Sequence, residues 1–240
     1  MSKDSQPKYE GKAKQLFEAS EPGHYVMRFK DAATAFNNKK KATIDRKGLV
    51  NQQISATIFE YLGDHGIKSH YVKTLGDREM LVKAVKIVPV EVVVRNIAAG
   101  SICKRLGIEP KKNISPPLVE FFYKSDELDD PLITDDHIRM MNLATPQDLV
   151  QFRKLALEIN KLLQKFFKKL GIVLVDFKVE FGKDKAGNIL LADEITPDGC
   201  RLWDAKTMEI LDKDRFRQGL GGLIEAYENI WSRIQKKGNA

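Results

Sequence analysis

Two carboxylates and one lysine alternate with apolar residues in the segment Leu174–Gly182. Asp176, Lys178 and Glu180 stand at every second position, so in a β-strand their side chains share one face within about 14 Å. Converging carboxylates repel one another unless a cation lies among them, and Mg²⁺ accepts one or two carboxylates together with phosphate oxygens. The pattern favours a face that binds a metal and an anionic ligand. The alternative is a solvated face with cross-strand salt bridges.

The strand that pairs with this segment decides which further acid joins the polar face. A turn centred between Lys185 and Ala186 places Lys178 opposite Asp193 and adds Asp193 to that face. Because side chains alternate along a strand, a one-residue slip presents Glu194 instead. The apolar side chains predicted to face the core are Val175, Phe177, Val179 and Phe181.

A second set of polar residues lies in the segment Val90–Ser101. Alternation puts Glu91 and Arg95 on the face opposite the apolar positions, and Gly100 with Ser101 opens a short predicted helix. Free N–H groups at a helix start and a guanidinium fork both suit an anion. The segment therefore predicts a phosphate site. A capped helix beside a structural Glu–Arg pair is the alternative.

Two turns carry weaker signals. In Tyr9–Lys14, a glycine turn at Gly11 would bring Lys12 and Lys14 to a strand connection, and glycine permits close approach of backbone to phosphate. This segment lacks the full phosphate-loop or dinucleotide motif, so a plain hairpin with exposed lysines competes with a phosphate-binding turn. The polar loop Asp193–Asp204 suits ligand contact, or is a surface turn anchored by a tryptophan.

The apolar patterning predicts an α+β fold. The clearest helix runs from Thr145, a candidate N-cap followed by proline, to Leu170, and Gly171 ends it. Other predicted helices cover residues 48–62, 101–106 and 213–234, the last weakened by Gly221 and Gly222. Predicted strands cover residues 9–17, 24–29, 69–73, 79–85, 90–94, 172–181 and 189–195. Residues 112–131, with three prolines, are predicted to form an irregular connection that marks a domain boundary.

These elements suggest two domains in the 240-residue chain. Strands dominate the first third, whereas helices and a hairpin make up the rest. We expect a small N-terminal antiparallel-sheet domain, residues 1–88, over a larger C-terminal α+β domain, residues 89–240. A cleft between such domains is a common ligand site.

Composition narrows the class of protein. With 42% hydrophobic and 30% charged residues, the chain can bury a core. No run of 18 apolar residues suggests a membrane span, and Met1–Lys8 is too polar for a signal peptide, so a cytoplasmic location is expected. Cys103 and Cys200 are far apart and predict buried thiols rather than a disulfide scaffold or a metal site. The net charge of +7 fits either a nucleic-acid surface or a cleft for phosphorylated small molecules.

Taken together, these segments resemble the SAICAR synthetase family (phosphoribosylaminoimidazole-succinocarboxamide synthases) over nearly the whole chain. The residues of these segments match that family, and so do the order and spacing of the segments along the chain. The matching stretches are Tyr9–Lys14, Thr34–Asn38, Lys47–Gly48, Val88–Ser101, Leu174–Gly182, Leu191–Asp204 and Lys213–Arg217.

The resemblance implies an enzyme of purine biosynthesis with an ATP cleft between its domains. It would join the imidazole nucleotide CAIR to L-aspartate, forming SAICAR, ADP and phosphate through an acyl phosphate, with Mg²⁺ as cofactor. A homodimer is also expected. The resemblance implies these site residues: Gly11, Lys12, Lys14, Lys83 and Lys124 for ATP; Glu180 and Asp193 for Mg²⁺ at the ATP phosphates; Glu91 for a second Mg²⁺ at the CAIR carboxylate; Arg95, Ser101 and Arg201 for the CAIR phosphate; Lys178 and Asp198 as catalytic residues facing the reacting carboxylate and orienting the imidazole nucleotide; and Arg215 for L-aspartate.

Three other functions compete with this interpretation. A nucleic-acid-binding domain would use the net charge, but the converging acids would repel a phosphate backbone, and no aromatic-rich segment for stacking bases is visible. A kinase-like phosphotransferase acting on another small molecule fits the same motifs. Only the family resemblance distinguishes the proposed ligase from such an enzyme. An inactive relative is disfavoured because the acids and lysines at the matched positions are intact.

Overall fold

The structure is a computed structural model that describes residues 6–35 and 39–238. Most of the polar start and the last three residues of the stretch Thr34–Asn38 lie outside the described residues. In chain order the strands are β1 (Tyr9–Glu10), β2 (Lys14–Glu18), β3 (His24–Phe29), β4 (Ala32–Ala35), β5 (Lys40–Thr43), β6 (Tyr71–Gly76), β7 (Glu79–Lys83), β8 (Lys86–Ile97), β9 (Asn113–Tyr123), β10 (Leu132–Ile133), β11 (Ile172–Lys183), β12 (Ile189–Ala192) and β13 (Cys200–Asp204). The helices are α1 (Lys47–Asp64), α2 (Ser101–Leu106), α3 (Asp135–Met140), α4 (Pro146–Lys169), α5 (Asp214–Gln218) and α6 (Leu223–Gly238), and a short 3₁₀ helix covers Asp126–Leu128.

Two antiparallel sheets carry the cleft. The N-terminal sheet has the order β1-β2-β3-β7-β6, and the larger sheet has the order β10-β9-β8-β11-β12, with β13 also paired to β11. A separate pair joins β4 and β5. The predicted α+β class is confirmed. None of the described helices is long and apolar enough to cross a membrane.

The two parts of the chain share one hydrophobic core. Met27 and Val82 of the N-terminal sheet belong to the same buried cluster as Ile54 of α1 and Phe177 of the larger sheet. The expected boundary after residue 88 lies inside β8, which is continuous from residue 86 to residue 97. The division into two domains therefore stays a prediction.

The long helix and its ends follow the sequence closely. Helix α4 covers Pro146–Lys169, the Thr145 side chain accepts a hydrogen bond from the Asp148 N–H, and Gly171 has φ 68°. Its side chains at helical spacing are buried against the larger sheet, as an amphipathic stripe requires.

The predicted single C-terminal helix is wrong, because glycines divide it. Gly219, Gly221 and Gly222 all have positive φ (70°, 71° and 62°), a conformation that glycine adopts without the steric cost of a Cβ. The chain therefore leaves α5 after Gln218 and starts α6 at Leu223.

The predicted irregular connection over residues 112–131 is also wrong. Most of it is β9, a long strand paired with β8 from Val90–Tyr123 to Arg95–Leu118. Proline cannot donate to a ladder and is tolerated at irregularities. Pro116 lies where the register shifts, between the Arg95–Leu118 pair and the pair of Ile97 with Asn113, so it takes no donor from the regular part of the ladder.

The predicted hairpin of β11 and β12 is confirmed, with a register one residue from the expected one. Glu180 pairs with Ala192, which centres the turn on Ala186. Regular alternation would then send Asp193 to the core face. Instead Asp193 has φ 63° just after β12 ends, and its carboxylate accepts a hydrogen bond from Lys178 at 2.8 Å. Asp193, the acid expected on the polar face, reaches that face because the chain has left β12 at this position.

One side chain of β11 departs from the predicted apolar face. The pairing of β11 with β13 shifts between Leu174 and Asp176, and Val175 lies at this bulge. It packs with Ala99 and Trp203 in a small cluster separate from the main core. A bulge inserts one residue and shifts the alternation. Asp176, Lys178 and Glu180 therefore keep their predicted face, whereas Leu174, before the bulge, lies in the main core with Phe177.

Candidate functional site

Three adjoining cavities form one cleft along the polar face of the larger sheet. An apolar slot of about 300 Å³ and an arginine cavity of about 250 Å³ lie on either side of a central cavity of about 590 Å³. The slot and the central cavity share Lys14, Glu180 and Asp193 in their walls. The central and arginine cavities share Lys178 and Asp198. A ligand in one cavity is therefore within reach of ligands in the next.

The apolar slot lies between the N-terminal sheet and the start of β8. Its apolar walls are formed by Tyr9, Leu16, Tyr25, Met27, Val82, Val85 and Ile87. The exposed Lys83 and the buried His70 also line it. Burial, reinforced by the nearby ammonium of Lys14, lowers the pKa of His70 to about 3, so this imidazole is neutral near pH 7. His70 Nε2 lies 2.9 Å from the Asp193 carbonyl oxygen, which ties the slot to the acids.

Lys178 lies at the centre of an acid–lysine cluster, defined as Glu91, Glu180, Asp193 and Glu194 with Lys14, Lys124 and Lys178. Its ammonium lies 2.7 Å from Glu180, 2.8 Å from Asp193 and 3.3 Å from Glu91. Burial alone would lower the pKa of Lys178, but Glu180 and Glu91 outweigh burial and raise it. Lys178 is therefore a fixed cation near neutral pH.

Glu180 is the most buried acid of this cluster, with 1% of its side chain exposed. Lys124 lies 2.6 Å from each of its carboxylate oxygens. Burial would raise the pKa of Glu180, but Lys178 and Lys124 hold it well below the ordinary value of 4.5. Glu180 is thus an ionised carboxylate with strong local compensation.

Lys14 joins the phosphate-turn candidate to the two acids that follow β12. Its ammonium forms ion pairs with both Asp193 and Glu194. Burial lowers the pKa of Lys14, although Glu194 opposes the shift. Glu194 is the residue that a one-residue slip would present. It faces the cleft together with Asp193, because β12 ends at Ala192 and neither acid is bound by the alternation of the strand.

The arginine cavity is built on a buried ion-pair network. Arg95 donates from Nε to Glu120 at 2.6 Å and from Nη1 to Asp176 at 3.0 Å. Its Nη2 lies 3.2 Å from the Ser101 Oγ. Arg201 shares Asp176, donating from Nη1 at 2.9 Å. These groups are held in place by one another, so their geometry is set before any ligand binds.

A second acid anchors the open side of this cavity. Asp214 accepts a hydrogen bond from Arg201 Nε at 2.8 Å and another from Arg217 Nη1. Gly100, with φ 64°, lies against the Arg201 guanidinium, and a Cβ at this position would overlap it. The glycine predicted to open a helix is thus required by the close approach of an arginine.

Asp198 lies between the central and arginine cavities and is held from behind. Lys47 forms an ion pair with its Oδ2, Asn51 donates to Oδ2 at 3.0 Å, and the Tyr227 hydroxyl donates to Oδ1 at 2.8 Å. Burial would raise the pKa of Asp198, but Lys47 and Lys213 hold it well below 3.8. Asp198 is ionised and fixed by α1 and α6.

Most of the residues expected from the sequence come together in this cleft. Gly11, Lys12 and Lys124 line the central cavity, and Lys12 pairs with Asp126 at 2.7 Å. Arg215 does not line any of the three cavities. Its guanidinium donates to backbone oxygens and to an exposed glutamate outside the cleft.

Sequence reasoning missed several lining residues. Arg217 lines the central and arginine cavities, and Lys213 lines the central one. Lys213 and Arg217 are four residues apart and therefore share one face of a helix. Arg215 is two residues from each of them and points to a different face. That spacing was readable from the sequence. Lys47 had no local signal, since only the fold brings it to Asp198.

The cleft has opposite charge at its two ends. The acid–lysine cluster has four carboxylates against three lysines. Among the other charged side chains that line the arginine cavity, the three cations Arg95, Arg201 and Arg217 face the two carboxylates Asp176 and Asp198, an excess of one positive charge. One end therefore suits a cation and the other a phosphate.

The acids fit a magnesium ion that is bound together with a nucleotide. Among the described residues there is no group of three His, Cys, Asp or Glu side chains that could hold a metal by itself. Glu180 and Asp193, both within 2.8 Å of the same lysine ammonium, would supply the one or two carboxylates that Mg²⁺ takes when phosphates complete its shell.

Comparison with known proteins identifies the family to which the chain belongs. The family model for SAICAR synthetase matches residues 7–234. A phosphoribosylaminoimidazole-succinocarboxamide synthase of Persephonella marina is 56% identical over 229 residues, covering 95% of this chain and 96% of that protein. The crystal structure of the synthase from Ehrlichia chaffeensis has a TM-score of 0.93 at 46% identity, covering 96% of this chain and 98% of that one. A SAICAR synthetase in complex with ADP has a TM-score of 0.91 at 46% identity, covering 94% of this chain and 96% of that one. This chain therefore belongs to the SAICAR synthetase family, whose members are ligases of purine biosynthesis.

Proposed function

We propose that this enzyme joins CAIR to L-aspartate at the expense of ATP, forming SAICAR, ADP and phosphate. The observation that carries the proposal is the order of the three cavities. An apolar slot adjoins the acid–lysine cluster, and the cluster adjoins an arginine cavity with excess positive charge. This order matches an adenine base, a triphosphate with its metal, and a phosphorylated second substrate. We also propose that the reaction takes place in the cytoplasm and that the enzyme is a homodimer.

ATP would lie with its base in the apolar slot and its phosphates in the central cavity. Gly11, Lys12 and Lys14 would cover the phosphates from the N-terminal sheet, while Lys83 and Lys124 flank the slot. The ADP complex of a 46% identical SAICAR synthetase supports nucleotide use by a protein of this family. The neutral His70 adds no charge next to the base.

Mg²⁺ would be held by Glu180 and Asp193 at the ATP phosphates, with Glu91 serving a second ion near the CAIR carboxylate. When bound, the metal neutralises charge on the transferring phosphoryl group. The lysines that now contact these carboxylates would turn toward phosphate oxygens. The negative excess of the cluster supports such an exchange of cations.

CAIR would bind with its phosphate at Arg95, Ser101 and Arg201 and its carboxylate toward Lys178. A carboxylate is a poor electrophile, because attack places more charge on an anion. One carboxylate oxygen therefore attacks the terminal phosphorus of ATP, and ADP leaves. The neutral amine of L-aspartate then attacks the acyl carbon, the phosphate leaves, and the proton lost by the nitrogen passes to the departing phosphate. Because its pKa is raised, Lys178 acts as a fixed cation rather than as a base, and Asp198 orients the nucleotide.

An ADP-release assay in which each substrate is omitted in turn tests this proposal. We expect release to require ATP, CAIR and L-aspartate together. A kinase-like phosphotransferase that acts on another small molecule predicts ADP release that does not depend on CAIR and L-aspartate, and a nucleic-acid-binding protein predicts none. Either result, obtained with folded protein, would contradict the proposed function.

A further inference from the structure

Lys213 is a half-buried cation of the cleft that forms no ion pair with any residue that the structure describes. Its side chain lines the central cavity, and in the described part of the chain no carboxylate lies within 4.0 Å of its ammonium. Burial lowers the pKa of Lys213 even though Asp198 opposes the shift. Lys83 also lacks an ion pair, but it is exposed and therefore hydrated. A buried charge ordinarily has a partner, so an anionic ligand is expected at Lys213.

The nearest acid, Asp198, is already engaged by other residues. A carboxylate has about four lone-pair sites, and three of those on Asp198 accept from Lys47, Asn51 and Tyr227. Lys47 compensates its charge directly. Asp198 therefore acts on Lys213 only from beyond 4.0 Å, and it retains about one acceptor position, suited to an N–H donor.

A second cation stands beside Lys213 on the same face of α5. The Arg217 N–H donates to the Lys213 carbonyl oxygen at 3.1 Å, so the two side chains are one helical turn apart. Among the described residues, Arg217 is paired only with Asp214, through Nη1, and it lines both the central and the arginine cavity. Lys213 and Arg217 thus lie where the central and arginine cavities meet, and Lys178 of β11 lines the same junction.

We propose that Lys213, with Arg217 beside it, binds a carboxylate of the amine donor, a small amino dicarboxylate. The inference rests on the proposed function, in which L-aspartate is the second substrate. The two carboxylates of L-aspartate need cations that ATP and CAIR do not use. The acid–lysine cluster cannot provide them, because it has four carboxylates and only three lysines. The site lies at the junction of the two cavities, where the amine must meet the activated carboxylate.

Steady-state kinetics of Lys213→Met test this site. Loss of one charge-assisted contact should raise KM for L-aspartate roughly tenfold to a hundredfold, with KM for ATP and CAIR unchanged. Succinate has both carboxylates of L-aspartate but no amine, so its inhibition constant should rise in parallel. Lys206→Met removes an exposed lysine from the turn after β13 and should leave all four constants unchanged.

Two results would overturn the assignment. One is a rise in KM for CAIR instead of L-aspartate. The other is a fall in kcat with succinate inhibition unchanged, which would place Lys213 at the amine rather than at a carboxylate. If Lys213→Met does not fold, Lys213→Gln is measured in its place. Wild-type turnover without L-aspartate would refute the proposed function itself, whereas aspartate-dependent turnover with normal KM in the variant would refute only this site.

Discussion

Replacing Lys47 by methionine tests how the cleft holds Asp198. Lys47 is 1% exposed, and its removal leaves a buried carboxylate without its nearest cation. Breaking one side of a buried ion pair costs about 3–5 kcal/mol, out of a typical total of about 5–15 kcal/mol. Asn51 and Tyr227 still donate to Asp198, and Lys213 still opposes its charge. We therefore expect Lys47→Met to fold and to lose about 3 kcal/mol.

Urea unfolding followed by far-ultraviolet circular dichroism measures this loss as a lower midpoint with the same slope. The loss should also depend on pH. The pKa of Asp198 is lower in the folded protein than its ordinary value of 3.8, so the pair stabilises the fold fully above that value and progressively less as pH falls toward the folded pKa. The gap between wild type and Lys47→Met should be widest near neutral pH and narrow below about pH 4.

Two further variants make the result decisive. Lys47→Met combined with Asp198→Asn should be less destabilised than the sum of the single variants, because the buried charge is gone. Lys8→Met removes a lysine from an exposed pair with Glu18 and should barely move the midpoint. If Lys47→Met matched Lys8→Met, or if the double variant were additive, charge compensation would not be what holds Asp198.

The remaining predictions concern the metal, the two phosphate sites and one buried acid. Glu180→Gln and Asp193→Asn should lower ADP release by orders of magnitude with unchanged circular dichroism; normal Mg²⁺-dependent turnover would contradict the assignment. Arg201→Lys should raise KM for CAIR about tenfold to a hundredfold, since lysine lacks the planar fork of arginine. Lys14→Ala should raise KM for ATP instead, and the reverse pattern would mean that the halves of the cleft are exchanged. Asp212 has a pKa raised to about 7 by burial and by Asp214. Its folded pKa exceeds its ordinary value, so wild-type stability should fall as pH rises from about 4 to 7, and Asp212→Asn should lose that dependence in urea unfolding.

Local patterns predicted the elements whose signals are contained within a few residues. Helix α4 has a cap, a proline at its first position, an apolar stripe and a terminal glycine, which all agree. The alternation in β11 placed Asp176, Lys178 and Glu180 on one face, and these side chains line the cleft. In each case the physical cause of the structure lies in the segment itself.

Features that depend on distant partners were not predictable in this way. Prolines suggested a loop where β9 forms, because the pairing partner β8 and the irregularity that accommodates Pro116 lie outside the local pattern. The apolar slot combines side chains from strands far apart in sequence. Asp193 reaches the cleft only because its positive φ offsets a one-residue register shift. The position of Asp193 in the cleft was therefore predicted correctly from an incorrect register.

The spacing between the two ends of the cleft is set by one pair of central strands. On β8 and β11, Arg95 pairs with Asp176, and four residues along Glu91 pairs with Glu180. At the usual rise of a strand, the arginine end and the acid end are about 13 Å apart. Both strands are buried in the middle of the larger sheet, so neither end can shift independently of the other. A ligand that reaches both ends must carry its phosphate and its reacting carboxylate at opposite ends of the molecule, as CAIR does. Lys178 lies midway between these two ends on β11, which in the proposed reaction is where the carboxylate of CAIR would meet the terminal phosphate of ATP.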